Sequence, residues 1–159
     1  MITIEKLNPN NINDLDSVTE IMYNWWGSGA TFSFNTVKEL MKSYCSHGDF
    51  PVVLVAKDFN KVVGTISLVA NDTQFRQDLY PVITSLYVIE EYRHNGIGSM
   101  LVKELLRYAE NRFNKVYLMT KTVGFYEKLR FKYIETTKAY IDILNDKIAE
   151  NRLYEIELR

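Results

Sequence analysis

The spacing of hydrophobic residues along the chain changes between strand-like and helix-like periods. The opening stretch "ITIEKL" alternates apolar and polar side chains, which is typical of a half-buried strand. Residues 10–26 and 34–45 instead carry apolar side chains three and four positions apart, as on one face of a helix. The stretch "GSGA" separates these two predicted helices. The expected N-caps are Asn13 or Asp14 for the first helix and Asn35 or Thr36 for the second.

The middle of the chain carries a hairpin signal and then a strand–loop–helix unit. Within residues 51–70, two β-branched runs flank a polar turn at 57–61. A strand is predicted over 81–91, and after a loop an amphipathic helix over 99–113. The β-α-β order over 82–120, which ends in another short strand, predicts a right-handed parallel crossover.

The C-terminal part predicts a short helix within 123–131 and strands over 132–141 and 153–158. The complete order is therefore β-α-α-β-β-β-α-β-α-β-β. Strands mixed with single crossovers indicate an α+β (mixed α/β) fold around one sheet. Because no repeat or linker-like stretch interrupts the pattern, we expect one domain over residues 1–159.

Composition and charge exclude several classes of protein. A formal net charge of −1 provides no global field toward nucleic acid or anionic lipid, so we expect neither partner. The chain has one cysteine, Cys45, and thus no intrachain disulfide. No signal peptide or membrane-length apolar run is visible, so a cytoplasmic location is expected. No His/Cys/Asp cluster has metal-ligand spacing, so no metal is expected.

The loop "RHNGIG", residues 93–98, stands between a predicted strand and a predicted helix. The first N–H groups of a helix lack partners, and the helix dipole favours an anion there. Gly96 and Gly98 allow close approach and positive φ, and Arg93 adds a charge. The alternative is a plain turn. A nucleotide P-loop is excluded because Ser99 follows Gly98, and Leu101 disfavours a dinucleotide fingerprint.

Two motifs together resemble the GNAT superfamily of N-acetyltransferases. Arg93-x-x-Gly96-x-Gly98 resembles its acetyl-CoA loop, and "GFYEKLRFKYIE" at 124–135 resembles its next motif. The resemblance implies a central, mostly antiparallel twisted sheet of six or seven strands flanked by about four helices. Two positions depart from the family pattern. Arg130 replaces a glycine, and "MTKT" replaces a strand-end asparagine, which leaves Thr120 or Thr122 for that cofactor contact.

The resemblance implies an N-acetyltransferase in which a primary amine of a small molecule or peptide attacks acetyl-CoA directly in a ternary complex. Tyr126 is then the donor to the departing thiolate, although it could simply be a core tyrosine. An N–H at Tyr87 or Val88 is the expected oxyanion donor. The implied cofactor contacts are Leu86, Tyr87, Val88, Arg93, His94, Asn95, Gly96, Ile97, Gly98, Ser99 and Thr120.

The acceptor side is less defined by the sequence. One of Trp25 and Trp26 is expected in the core and the other exposed or against substrate, because neighbours on a helix do not share a face. Asp72 is a candidate for substrate binding and, with Glu90 and Glu91, for the general base. Two alternatives stay open: another acyl-CoA, or a CoA-binding regulatory domain without turnover. Many relatives of this type are dimers, so a homodimer also stays open.

Overall fold

The computed structural model describes residues 1–158, and these contain seven strands and four α-helices. In chain order they are β1 (Ile2–Lys6), α1 (Ile12–Met22), α2 (Phe34–Cys45), β2 (Val52–Asp58), β3 (Lys61–Val69), β4 (Val82–Val88), α3 (Ile97–Ala109), β5 (Lys115–Thr120), α4 (Phe125–Lys128), β6 (Lys132–Asp142) and β7 (Lys147–Glu157). The predicted order of elements is confirmed.

The strands follow the order β1-β2-β3-β4-β5-β7-β6 in a seven-stranded sheet. The pairs β1/β2, β2/β3, β5/β7 and β6/β7 are antiparallel. The pair β4/β5 is parallel, as the β-α-β pattern predicted. A mostly antiparallel sheet with four helices confirms the predicted fold class.

The described chain divides into two compact units. The first comprises Met1–Leu68 and Ser85–Leu105, and the second comprises Val69–Thr84 and the chain from Leu106 onward. The expected single domain stays a prediction. None of the helices in residues 1–158 has the length and apolar character needed to span a membrane.

In the first unit, α1 and α2 pack their apolar faces against β2. The buried residues that form this core include Leu15, Val18, Met22, Val37, Met41, Val53 and Val55. The helical spacing read from the sequence thus identified the correct faces. In the second unit, β5 and β7 pair antiparallel and bury Val116, Leu118, Leu153 and Tyr154.

A buried ion pair ties α1 to β2 in the first unit. Lys57 Nζ lies 2.8 Å from Asp14 Oδ2 and 3.2 Å from Glu5 Oε1. The side chains of Lys57 and Asp14 are only 11% and 7% exposed, so the pair is largely withdrawn from water. The hydrogen bond to Asp14 raises the pKa of Lys57 against the opposing effect of burial.

Several predicted helix boundaries are wrong. The N-cap of α1 is Asn11, whose side chain accepts from Asp14 N, and the N-cap of α2 is Ser33. Each true cap lies in a run of capping residue types, and local sequence does not choose among them. The α1 helix also ends at Met22, and the chain continues as a π-helical turn over Tyr23–Gly27.

Two further elements begin earlier than predicted. The α3 helix starts at Ile97 rather than Ser99. The β7 strand starts at Lys147 rather than Leu153, because its polar first half pairs with β6 from Asp142↔Lys147 onward. Cross-strand pairing sustains a strand there without the alternating pattern.

Replacing Lys57 by Met should lower the free energy of unfolding by about 3 kcal/mol, because it leaves the Asp14 carboxylate buried without its cation. Lys38→Met is the matched control: its partner Asp16 is 45% exposed, and the loss should stay below about 1 kcal/mol. Denaturant unfolding measures both variants.

The pH dependence of this loss has a defined sign. Because the pKa of Lys57 is raised on folding, the stabilisation is complete below the ordinary lysine pKa of 10.5 and is lost as pH rises through the folded pKa. The difference in the free energy of unfolding between wild type and Lys57→Met should therefore become smaller at high pH. Equal losses for both lysine variants at neutral pH would contradict the assigned role.

Candidate functional site: the loop before α3, β4 and two polar groups of the second unit

The loop between β4 and α3 is shaped by two residues with positive φ. After a 3₁₀ turn over Glu90–Tyr92, His94 has φ 65° and Gly96 has φ 79°. The Gly96 carbonyl accepts from Met100 N at 3.0 Å, which places Gly96 at the N-cap of α3. Gly98, which the sequence placed in the loop, instead lies within the first turn of α3.

This helix start presents main-chain amides that have no acceptor within the helix. The N–H groups of Ile97, Gly98 and Ser99 belong to the first turn, where no intrahelical acceptor exists. Gly96 has no side chain with which to cap them. With the positive end of the helix dipole added, the arrangement favours a phosphate or another oxyanion.

Side chains within the loop hold its turn. Asn95 Nδ2 donates to the carbonyls of Tyr92 and Arg93 at 3.2 and 3.1 Å. The Tyr92 hydroxyl donates to Asp58 Oδ2 at 2.7 Å. The side-chain amide of Asn95 is thus used within the loop. Only the backbone N–H of Asn95 is then left to bind a ligand. His94 is exposed.

Arg93, which the sequence predicted to add a charge at this loop, has contacts of its own. Its Nε donates to the Val88 carbonyl at 2.8 Å, and its guanidinium lies 5.1 Å from the ring centroid of Tyr87. The guanidinium is therefore held over the end of β4. Three predicted site residues, Tyr87, Val88 and Arg93, are in mutual contact.

The β4 strand changes course at Ser85, which has φ 59°. The ladder with β5 covers Val82 and Ile83, the residues before this irregularity. The predicted contact residues Leu86, Tyr87 and Val88 come directly after it. A positive φ at a non-glycine residue in a strand is rare and marks a local bulge.

The paired tryptophans divide as predicted. Trp25 is 49% exposed and lies 5.0 Å from the Tyr87 ring, centroid to centroid. Trp26 is half-buried, packs against the core of the first unit and makes an edge contact with Phe32. Tyr87 thus contacts both Trp25 and Arg93 within the first unit.

In the second unit, Tyr126 is buried, with 7% of its surface exposed. Its ring contacts Phe125, Phe131 and Tyr154 at centroid distances of 4.9, 5.4 and 6.1 Å. Burial raises the pKa of Tyr126 to about 12. Within residues 1–158, its hydroxyl has no hydrogen-bond partner, so a protonated donor is available to a ligand.

Asp72, also in the second unit, accepts a hydrogen bond from Thr84 Oγ1 at 2.7 Å. Desolvation raises the pKa of its carboxyl, although the residue as a whole is exposed, and the Thr84 bond partly offsets this. The neighbouring Asn71 fixes the loop, since its Nδ2 donates to Thr73 Oγ1 and to the carbonyls of Arg76 and Leu79.

Thr120 ends β5, and its hydroxyl accepts from Thr122 N at 3.0 Å. This bond closes a local turn, so the predicted cofactor contact competes with a structural role. Glu90 and Glu91 are exposed on the 3₁₀ turn. Cys45 is buried, burial raises the pKa of its thiol, and its Sγ donates to Met41 O.

Sequence reasoning missed three features of these sites. It gave no signal for the bend at Ser85 or for the Thr84 partner of Asp72. It also missed the polar contacts around Glu127 and Tyr154, although Glu127 lies within the second motif. Among the residues described, no cluster of three or more His, Cys, Asp or Glu is placed to hold a metal ion.

The α3 helix that starts behind Gly96 and the short α4 helix that carries Tyr126 lie where the two motifs predicted helices. Residues 19–131, more than half of the chain, match the acetyltransferase (GNAT) family. The chain therefore belongs to this family.

Individual relatives agree with this family. An uncharacterized N-acetyltransferase of Chlorobaculum tepidum is 39% identical over 54 residues, which cover 33% of this chain and 35% of that protein. An N-alpha-acetyltransferase of Saccharolobus solfataricus is 32% identical over 65 residues, or 36% of this chain and 39% of that protein. The chain thus matches little more than a third of the length of these curated relatives.

The fold also has solved counterparts. An aminoglycoside 6'-N-acetyltransferase complexed with coenzyme A superposes with a TM-score of 0.74 at 17% identity, covering 99% of this chain and 97% of that one. At this level of identity the likeness concerns the fold.

Proposed function

We propose that this protein transfers the acetyl group of acetyl-CoA to a primary amine of a small molecule or peptide, by direct attack in a ternary complex. The observation that carries the proposal is the helix start behind Gly96, where the amides of Ile97, Gly98 and Ser99 are open to an anion. Coenzyme A offers a pyrophosphate as that anion.

The first unit supplies the binding groups in this proposal. The amides from His94 to Ser99 bind the pyrophosphate, and the backbone of Leu86–Val88 pairs with the pantetheine arm as an added strand. An N–H at Tyr87 or Val88 donates to the tetrahedral oxyanion. Trp25, exposed beside Tyr87, is the aromatic wall for the acceptor. Trp26, the next residue, packs against the core of the first unit.

The second unit supplies the polar chemistry. With a pKa of about 12, Tyr126 keeps its proton at neutral pH. A thiol has a pKa of about 8.5, so full transfer from this phenol to the CoA thiolate is uphill. Tyr126 therefore acts by donating a hydrogen bond to the sulfur as the C–S bond breaks, and solvent then protonates the thiolate.

The attacking amine has to lose a proton, since a lysine-like amine has a pKa of about 10.4. Asp72 is the proposed acceptor of that proton, directly or through one water. Its raised pKa and its bond from Thr84, one residue before Ser85 of β4, support this role over Glu90 and Glu91. Thr120 is retained as a cofactor contact through its hydroxyl.

The acceptor itself is a free amine of either class. One relative's name gives an α-amine and one structural counterpart's title an aminoglycoside, so a test panel should contain both. Release of CoA thiol upon mixing with acetyl-CoA and each amine tests the function. Binding of CoA without thiol release for any acceptor would instead indicate a regulatory domain. Thiol release only from a CoA thioester with a longer acyl chain would indicate another acyl-CoA as the donor.

Gly96→Ala should weaken CoA binding about tenfold, because a side chain in the left-handed region costs about 1–2 kcal/mol and the bound loop has to keep that conformation. Gly48→Ala is the matched control, since Gly48 also has positive φ (85°) and open space around it. Calorimetric titration measures both. Equal affinity of the two variants for CoA would contradict binding of the pyrophosphate at this loop.

Tyr126→Phe should lower kcat about 10²-fold while the Kd for CoA barely changes, because only the hydrogen bond to the leaving sulfur is lost. Tyr140→Phe removes a hydroxyl from a 45% exposed tyrosine and should keep wild-type turnover. Steady-state kinetics checks both, and unchanged turnover of Tyr126→Phe would make this tyrosine purely structural.

Asp72→Asn should change the pH profile of kcat/KM. Deprotonation of the amine gives a slope of one over the neutral range, and protonation of Asp72 steepens it below the raised pKa of that carboxyl. The Asn variant should lose the steeper limb and be slower throughout. Asp78→Asn, in the same loop but paired with Arg76, should retain the limb.

A further inference from the structure

The short helix α4, which carries Tyr126, is too short to be stable without contacts from the rest of the protein. It spans only Phe125–Lys128, and one turn of helix is unstable in isolation. Its N-cap position is Gly124, at φ 97°, which has no side chain to accept from the first amides. The position of α4 therefore depends on contacts from outside the helix.

Glu127 supplies the first of these contacts. Its Oε1 accepts from Gly124 N at 2.9 Å, which closes the start of the helix from within. Its other oxygen, Oε2, accepts from the Tyr154 hydroxyl at 2.8 Å. One carboxylate thus joins the first turn of α4 to a fully buried residue of β7.

Arg152 completes the connection from β7. Its Nε donates to the Tyr154 hydroxyl at 2.7 Å, and its Nη2 lies 3.9 Å from Glu127 Oε2. Its guanidinium lies 4.1 Å from the ring centroid of Tyr133 on β6. The Tyr154 hydroxyl, first, and the charge of Arg152 hold the pKa of Glu127 below its usual value, so the carboxylate stays ionised.

Tyr126 has no comparable polar restraint of its own. Its ring is packed by Phe125, Phe131 and Tyr154, and its hydroxyl has no partner within the described residues. Ring packing restricts the plane of the ring, whereas the place of the hydroxyl follows from the backbone of α4. Tyr154 contributes to both restraints. Its ring packs on the ring of Tyr126, and its hydroxyl donates to Glu127 and so helps to fix the backbone of α4.

We propose that Glu127, Tyr154 and Arg152, here called the α4 anchor, are positioning residues that hold the Tyr126 hydroxyl in place for the leaving sulfur. The inference rests on the proposed role of Tyr126. Glu127 is 37% exposed, and ion pairs with that much solvent contact contribute little to global stability. The anchor should therefore affect turnover more than folding.

Glu127→Ala should lower kcat about tenfold or more, because a small displacement of a reacting group is costly. The KM for acetyl-CoA and the Tm should stay near wild type. Glu127→Gln should recover most of kcat, since its amide oxygen still accepts from Gly124 N and its NH₂ can donate to the Tyr154 oxygen. The matched control is Glu135→Ala, which removes an exposed carboxylate of β6 that pairs with Arg76. This variant should keep the wild-type kcat.

The double variant Tyr126→Phe/Glu127→Ala shows whether the anchor acts through Tyr126. If it does, the double variant turns over as Tyr126→Phe alone, because the Glu127 loss exists only while the hydroxyl is present. Losses that multiply would overturn the inference, as would wild-type kcat in Glu127→Ala.

Hydrogen exchange of the amides of residues 128–131, which donate to carbonyls of Gly124, Tyr126 and Glu127, provides a readout that needs no substrate. Glu127→Ala should raise exchange there and leave the buried amides of β5 and β7 unchanged. Unchanged exchange in α4 would overturn the anchor. Faster exchange in α4 together with wild-type turnover of Tyr126→Phe would remove the role of Tyr126 while leaving the anchor in place, so the two failures are distinguishable.

Discussion

The first turn of a helix leaves backbone N–H groups without partners, and in α3 this constraint falls on residues that follow a glycine. Most helices use a side chain at the N-cap to accept from these amides. Gly96 provides none, so satisfaction has to come from water or from an anion. The surrounding loop is correspondingly well held: Asn95 fixes its turn and Arg93 closes over the end of β4. The helix start thus lacks the stability of a side-chain cap and leaves main-chain amides that, in the proposed function, bind the pyrophosphate.

In the second unit, two tyrosines show a similar contrast between a polar group that has partners and one that has none. Tyr126 and Tyr154 are both buried aromatic residues whose rings are in contact. The Tyr154 hydroxyl has an acceptor in Glu127 and a donor in Arg152, as a buried polar group normally requires. The Tyr126 hydroxyl has neither within the described residues, and burial raises its pKa to about 12. The satisfied tyrosine stabilises the structure, and the unsatisfied one remains available for chemistry.

Much of the fold was accessible from local pattern. Apolar spacing identified the helical faces of α1 and the order of all eleven elements, because burial on one face imposes a period on the sequence. The caps at Asn11 and Ser33 were missed, since neighbouring residues had equal capping chemistry. The first half of β7 was missed because its pairing with β6, and not its own polarity pattern, makes it a strand.

The sequence by itself determined the family, the position of the loop before α3 and the candidate tyrosine, because these depend on residue types at fixed short spacings. The tertiary structure alone decided which groups were free and which already had partners. Arg93 lies on Tyr87, Asp72 has the Thr84 hydroxyl, and Glu127 reaches Tyr154 from 27 positions away. Hydrogen bonds between residues so far apart depend on how strands and loops meet, and no local pattern in the chain encodes that geometry.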